Sequence, residues 1–214
     1  MLWPKNEMKN ALEIKWLFFD LGSTLIDESE CYRQRVLSMI SGTNVSYDKF
    51  FEEMMFFYKQ GKKGDFLAAK KYGFSLPVWK SECEILYPDT ACSLAELHEK
   101  YSLGIIANQL PGTSERLRSF GIDRYFDVVV ASAEEGIAKP DPQIFRLALS
   151  RAQCKPGQAV MIGDRLDNDI APAKRLGMTT VRIMRGFGRF AVPACPEEFP
   201  DDTVSSLREL CGKL

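Results

Sequence analysis

IKWLFFDLGSTLID, residues 14–27, carries the first sign of architecture. The apolar run Ile14–Phe19 is too short for a helix and lacks polar alternation, as expected of a strand buried on both faces. It stops at Asp20, and Gly22, Ser23 and Thr24 then favour a turn. Four similar runs follow: Leu103–Ile106, closed by Ala107–Asn108; Val128–Val130; Ala159–Ile162, closed by Gly163–Asp164; and Thr179–Met184. Between them, Ser114–Phe120, Pro142–Ala152 and Asn168–Leu176 carry helical periodicity and end at Gly or a polar turn. Alternating strands and helices imply an α/β fold with a parallel sheet, right-handed crossovers and a helical layer on each face.

One stretch breaks the rhythm. From about Glu28 to Leu86 there is no convincing strand, only helical patterns at Ser29–Ile40, Tyr47–Gln60, Phe66–Tyr72 and Val78–Ile85. That is too long for a single crossover. The expectation is a Rossmann-like, three-layer core from residues 1–26 and 88–214, interrupted by a helical cap domain over residues 27–87. Within the insert, Phe50, Met54 and Phe57 recur at i, i+4 and i+7, as do Phe51, Met55 and Tyr58, a pattern that packs helices together. The Pro- and acid-rich Cys195–Asp202 reads as a surface connection before a last helix, Thr203–Gly212. Gly186-Phe187-Gly188-Arg189-Phe190-Ala191 follows a strand like a dinucleotide-binding loop, but Pro193 and Pro196 interrupt the helix it should open. A flexible loop near the sheet edge is expected there.

Composition removes whole classes of function. The chain has 214 residues, with 28 Lys+Arg against 29 Asp+Glu and a pI near 6.0, so no basic surface points to nucleic acid. No apolar run approaches the ~20 residues of a membrane span, and the opening MLWPKNEMKN lacks the apolar region of a secretory signal. A cytoplasmic protein is expected. The six cysteines form no CxxC pair, so they read as reduced, buried thiols rather than zinc ligands. His98 is the only histidine and falls at an expected helix end. Catalysis must therefore rest on carboxylates, lysines and metal, or be absent.

The polar residues stand where such chemistry needs them. Ligands of open α/β sheets bind outside the carboxyl ends of the strands. Asp20 follows the first strand, Asn108 the second and Asp164 the fourth; Lys139 lies in the loop after the third, and Asp169 one turn into the next expected helix. Three carboxylates gathered at one sheet edge repel one another unless a cation sits among them. Oxygen-only ligation favours Mg2+ over zinc. Lys139 adds a charge suited to a phosphoryl oxygen.

With these motifs in place, GDRLDNDIAPAKRLGM and GIAKPDPQIF above all, the chain resembles the haloacid dehalogenase superfamily of phosphohydrolases. The resemblance runs from about Ile14 to Met184, with a helical cap inserted after the first motif. It implies that Asp20 is the nucleophile, carrying the phosphoryl group as an aspartyl-phosphate and ligating Mg2+. Lys139 would steady the nucleophile and the transferring group. Asp164 and Asp169 would hold the metal with the Gly22 carbonyl, and Ser23, Thr24, Ala107 and Asn108 would flank the substrate. The partner implied is a small phosphorylated molecule.

Two departures bear on rate. The superfamily's first motif reads DxDGT/V, with its second Asp as general acid/base; Gly22 stands there. The usual Ser or Thr before Asn108 is Ala107. Losing general acid–base help costs ~10²–10⁴ in rate, or about 3–5 kcal/mol. One hydrogen bond lost to a charged oxygen costs a further ~1.5–3 kcal/mol. A slow enzyme, or one restricted to good leaving groups, is expected. The alternative is a weakly active or non-catalytic protein that binds Mg2+ and a phosphorylated ligand. A third reading, carbon–phosphorus cleavage through a cap lysine, would use Lys59, Lys62 or Lys63.

Overall fold

The computed structural model describes residues 13–214, so residues 1–12 of the expected core, including MLWPKNEMKN, lie outside the described residues. In chain order, strand β1 (Trp16–Phe19) leads through a short β2 (Ile26–Asp27) into three helices: α1 (Ser29–Ile40), α2 (Tyr47–Tyr58) and α3 (Gly64–Tyr72). The chain returns through β3 (Ile85–Leu86) and α4 (Thr90–His98). It then alternates: β4 (Ser102–Ala107), α5 (Thr113–Ser119), β5 (Val128–Ala131), α6 (Ser132–Glu135), α7 (Pro142–Arg151), β6 (Ala159–Gly163), α8 (Ala171–Arg175) and β7 (Thr179–Ile183). An edge strand, β8 (Asp202–Val204), and α9 (Leu207–Cys211) close the series.

Six strands form one sheet in the order β5-β4-β1-β6-β7-β8, every neighbouring pair parallel. The unbroken apolar strands are explained by burial on two faces. Leu17, Phe19, Ile105 and Ile162 point into one core with Leu94, Leu97, Leu117, Leu207 and Leu210. Phe18, Ile106 and Met161 point into the other with Ile144, Phe145, Ala148 and Ala173. This is the Rossmann-like, three-layer α/β arrangement expected of the sequence. β1 has β4 on one side and β6 on the other, so the crossovers diverge around its carboxyl end and leave a crevice there.

The inserted helices have their own core: Val36, Met39, Phe50, Met54, Tyr58, Ala68 and Ala69 are buried together. The two short strands at the neck pair antiparallel, Ile26 opposite Leu86 and Asp27 opposite Ile85, where no strand was expected. Val78–Ile85 is not a helix. It runs irregularly through a turn at Ser81–Cys83, because Trp79 docks edge-on against Tyr32, lies under Arg35 and donates its indole N–H to Glu84 at 2.7 Å. Tertiary contacts override a weak local preference there.

Four further expectations are corrected. The helix expected over Asn168–Leu176 opens as a wide π turn, Leu166–Ile170, and becomes α-helical only from Ala171. Pro172 has no N–H for the carbonyl of Asn168, so ordinary helical bonding fails there. The expected last helix is divided, since β-branched Thr203 and Val204 extend the sheet beside β7 and α9 begins after the Ser206 cap. The loop at Gly186–Ala191 is a packed joint: Phe187 stacks on Tyr58 at 4.9 Å between ring centroids and meets Tyr32 and Phe51 edge-on. Cys31 and Cys211 are buried as expected, but Cys92 is exposed and Cys83, Cys154 and Cys195 are partly so. His98 is exposed at the end of α4. Among the described residues, no helix is long and apolar enough to cross a membrane.

One ion pair joins this frame to the turn after β1. Asp89, at the start of α4, accepts from Arg185 and from the Leu207 N–H at the start of α9. Arg185 in turn donates to the Thr24 carbonyl at 2.8 Å and lies over the Tyr87 ring. Burial opposes ionisation of Asp89, but Arg185 and the N–H groups of Arg208 and Leu207 outweigh it and hold the carboxyl below its usual range. That contribution is present above the ordinary aspartate pKa of about 4 and is lost as pH falls through the lower folded value. Asp89→Ala should cost about 2–4 kcal/mol at pH 7 in urea unfolding. The gap from the parent should narrow in acid; a constant gap would contradict the ion-pair account.

Candidate active site

The crevice at the carboxyl end of β1 is floored by charge. Asp20 follows directly on Phe19 and is anchored by its N–H, which donates to the Ile162 carbonyl of β6 at 2.9 Å. The Lys139 ammonium donates to Asp20 Oδ1 at 2.6 Å, to Asp169 Oδ1 at 2.6 Å and to the Ile106 carbonyl at 2.8 Å. All three ammonium protons are thereby used. Asn108, at the end of β4, grips the lysine backbone from both sides: its Nδ2 donates to the Lys139 carbonyl at 2.8 Å and its Oδ1 accepts the Lys139 N–H at 2.7 Å.

Asp164 completes the floor. Carboxylate oxygens of Asp20, Asp164 and Asp169 all lie within 4.8 Å of one another. Asp169 comes this close because its π turn abuts Gly163, where a Cβ would lie 2.6 Å from the Cβ of Asp169. Its second oxygen accepts the Arg165 N–H at 3.0 Å.

The charges do not balance within the protein. Burial alone would depress the Lys139 pKa, but Asp169 and Asp20 reverse this and raise it. Burial lifts Asp169 to about 6 against the pull of Lys139, with Asp20 adding to the rise. Asp164 is driven well above its ordinary value by burial, then by Asp169 and Asp20. Three convergent carboxylates share one ammonium, and their hard oxygen donors suit a small divalent cation such as Mg2+. The donor set fits that ion.

Above the floor lies a cavity of about 190 Å³, walled by both parts of the chain. The core contributes Ser23, Gly22 and Asn108; the insert contributes Tyr32, Tyr58, Lys62 and Lys63. Ser23 takes a left-handed backbone, φ +57°, with its N–H donating to the Ile26 carbonyl at 2.8 Å. Strained backbone of this kind is characteristic of functional sites. Of the residues singled out in the sequence, Asp20, Gly22, Ser23, Asn108, Lys139, Asp164 and Asp169 line one cavity. Thr24 and Ala107 do not line it; both side chains are fully buried behind it. Lys62 and Lys63 reach the rim and Lys59 does not.

Sequence reasoning missed Glu28 and the aromatic wall. Glu28 read as the start of the insert, yet its carboxyl lines the cavity and accepts from Ser23 Oγ at 3.1 Å. Burial pushes it up to about 8, helped by the charges of Asp20 and Glu84. Tyr58 read as insert packing, which it is, and Tyr32 was not singled out; both also line the cavity. A glycine at position 22 followed six residues later by a glutamate was the available signal for Glu28.

Replacing Lys139 by Met should lower stability by about 3–5 kcal/mol in urea unfolding, since Asp20 and Asp169 would face each other without a counter-charge. An unchanged midpoint would show that the ammonium is not what balances them.

Comparison with known proteins bears on this geometry. A family model described as haloacid dehalogenase-like hydrolase matches residues 14–177. A glyceraldehyde 3-phosphate phosphatase of Methanocaldococcus jannaschii is 34% identical, the match covering 92% of this chain and 95% of that protein. An N-acylneuraminate-9-phosphatase of Mus musculus is 27% identical, with 94% of each chain covered. The crystal structure of a HAD phosphatase from Thermococcus onnurineus superposes with a TM-score of 0.65 at 26% identity, covering 92% of this chain and 96% of the other.

Proposed function

Because the chain belongs to the haloacid dehalogenase-like hydrolases, we propose that it is a Mg2+-dependent phosphohydrolase of small phosphorylated molecules, acting through an aspartyl-phosphate on Asp20. The observation that carries this reading is the Lys139 bridge at 2.6 Å to both Asp20 and Asp169, with Asp164 beside them on the cavity floor. Lys139 takes one oxygen of Asp20 and fixes the carboxylate, leaving Oδ2 as the nucleophile toward the cavity. Asp20, Asp164, Asp169 and the Gly22 carbonyl are the groups we assign to Mg2+. When bound, the ion supplies positive charge against the phosphoryl oxygens as charge redistributes in the transfer. Asn108 keeps Lys139 in place through its two bonds to the lysine backbone, and we assign its own N–H to a phosphoryl oxygen.

Residues 27–87 act, in this reading, as a cap over the core formed by residues 1–26 and 88–214. The support is their separate apolar core and the way Tyr32, Tyr58, Lys62 and Lys63 wall the cavity. We assign the substrate to short hydroxylated phosphates of triose size. A cavity of about 190 Å³ leaves room for little beyond the phosphoryl group, and the 34% identical relative is named for a triose phosphate. A purely binding role was motivated by Gly22 and Ala107; the intact Asp20–Lys139–Asp169 array favours catalysis over it.

With Mg2+ present, the protein should hydrolyse glyceraldehyde 3-phosphate faster than hexose phosphates, and chelation should stop the reaction. Asp20→Asn should lose at least about 10³ of the rate, as expected for a missing nucleophile. Mg2+ should raise the melting temperature of the parent but not that of Asp164→Asn. Retained turnover in Asp20→Asn, or metal-independent turnover in the parent, would refute the mechanism.

A further inference from the structure

Breaking an alkyl phosphate ester leaves an alkoxide that must collect a proton, and the later attack of water on the phosphorylated aspartate must shed one. Some group in the cavity has to handle both transfers. Among the described residues, the carboxyls lining the cavity are Asp20, Glu28, Asp164, Asp167 and Asp169. Asp20 and Asp169 are bound to Lys139, and Asp164 lies buried beside them on the floor. Asp167 is held by a two-pronged pair to Arg165, at 3.0 and 2.6 Å. That leaves Glu28.

Its surroundings set it apart. Among the described residues Glu28 has no cationic partner: the nearby Arg116 pairs with Glu84 at 3.3 Å. Its one protein hydrogen bond is from Ser23 Oγ to Oε2, and Oε1 has no donor within hydrogen-bond distance among the described residues. Its place is also unusual. A Cβ built on Gly22 would lie 2.7 Å from both Cδ and Oε2 of Glu28. The Glu28 carboxyl therefore fills the space that any side chain at position 22 would enter, two residues along the chain from the nucleophile. Glycine at 22 and glutamate at 28 are sterically one feature, because the first makes room for the second.

We infer that Glu28 is the general acid/base of this enzyme, delivering from the start of the insert the carboxyl that position 22 lacks. The inference rests on the phosphohydrolase reading and deepens it. In the first half-reaction, Asp20 Oδ2 bonds to phosphorus as the bond from phosphorus to the ester oxygen breaks; the Glu28 carboxyl proton passes to that oxygen, releasing an alcohol and leaving Glu28 as carboxylate. In the second, water bonds to phosphorus while Glu28 takes one of its protons. The bond from phosphorus to Asp20 breaks, inorganic phosphate leaves, and both carboxyl groups return to their starting states. The expected restriction to good leaving groups then gives way to turnover of ordinary alkyl phosphates.

Glu28→Gln keeps the shape and removes the acid. With glyceraldehyde 3-phosphate, kcat/KM should fall by about 10²–10⁴-fold. With p-nitrophenyl phosphate, whose leaving group needs no proton, it should fall by less than about tenfold. In that reaction the variant should release a burst of p-nitrophenolate equal to the enzyme present and accumulate phosphorylated protein, since the second half-reaction lacks its base. The melting temperature should hold or rise, because a carboxyl without a cationic partner is replaced by a neutral amide. Equal kcat/KM values for variant and parent on both substrates would overturn the assignment, as would an equal loss on both with a lowered melting temperature. If Glu28→Gln does not fold, Glu28→Ala combined with Gly22→Asp puts a carboxyl back in the same space; turnover of the alkyl ester well above that of Glu28→Ala supports the assignment, and its absence in a folded protein overturns it. A parent that turns over neither substrate with Mg2+ would overturn the phosphohydrolase reading and this inference together, whereas a parent active on both with an unaffected variant overturns this inference alone.

Discussion

The site depends on a buried ammonium held between two carboxylates. Lys139 is 4% exposed, and taking its charge out of water is tolerable only because Asp20, Asp169 and the Ile106 carbonyl receive its three protons. This arrangement draws three separate parts of the sheet together: the end of β1, the strand β4 that supplies Ile106, and the turn after β6. It also leaves Asp20 with one oxygen bound to the ammonium and, among the described residues, no hydrogen bond to the other. Orientation of the Asp20 carboxylate and convergence of the sheet edge are thus consequences of one electrostatic constraint.

Steric allowances make that convergence attainable. Gly163 lets the π turn bring Asp169 against β6, and Pro172 keeps the turn from tightening into a regular helix. Asn108 holds the loop carrying Lys139 against the sheet through two hydrogen bonds from its side chain to the lysine backbone. On the opposite wall, Gly22 yields its volume to Glu28. The insert reaches the core through Phe187, whose stacking on Tyr58 and edge contact with Tyr32 fix two of the aromatic groups that face the cavity. The loop that carries Phe187 resembled a dinucleotide-binding turn in one dimension; in three dimensions it is an aromatic contact between the two parts of the chain.

The fold was legible where burial imposes a pattern. Strands buried on both faces must be continuously apolar, so β1, β4, β5, β6 and β7 stand out, and the polar residue ending each run marks a strand terminus. Features set by contacts between distant residues were not legible. The two short neck strands are too brief to show a period, β8 is an edge strand with a helix-like continuation, and the segment around Trp79 follows its docking against Tyr32 and Arg35. Thr24 and Ala107 are adjacent in sequence to residues of the cavity but do not line it: Ala107 ends β4, where neighbours along an extended chain face opposite sides, and Thr24 is buried in the turn after β1.

By itself the sequence determined the alternating α/β architecture, the long helical stretch after the first motif, and the gathering of Asp20, Lys139, Asp164 and Asp169 at one edge of the sheet, since these follow from local periodicity and from residue type at strand ends. Only the tertiary structure decided which oxygen of Asp20 stays free, which carboxyls are matched by a cation, and that Glu28 occupies the room left by Gly22. Those outcomes depend on distances between groups remote along the chain, and such distances exist only once the sheet, the π turn and the insert have packed together.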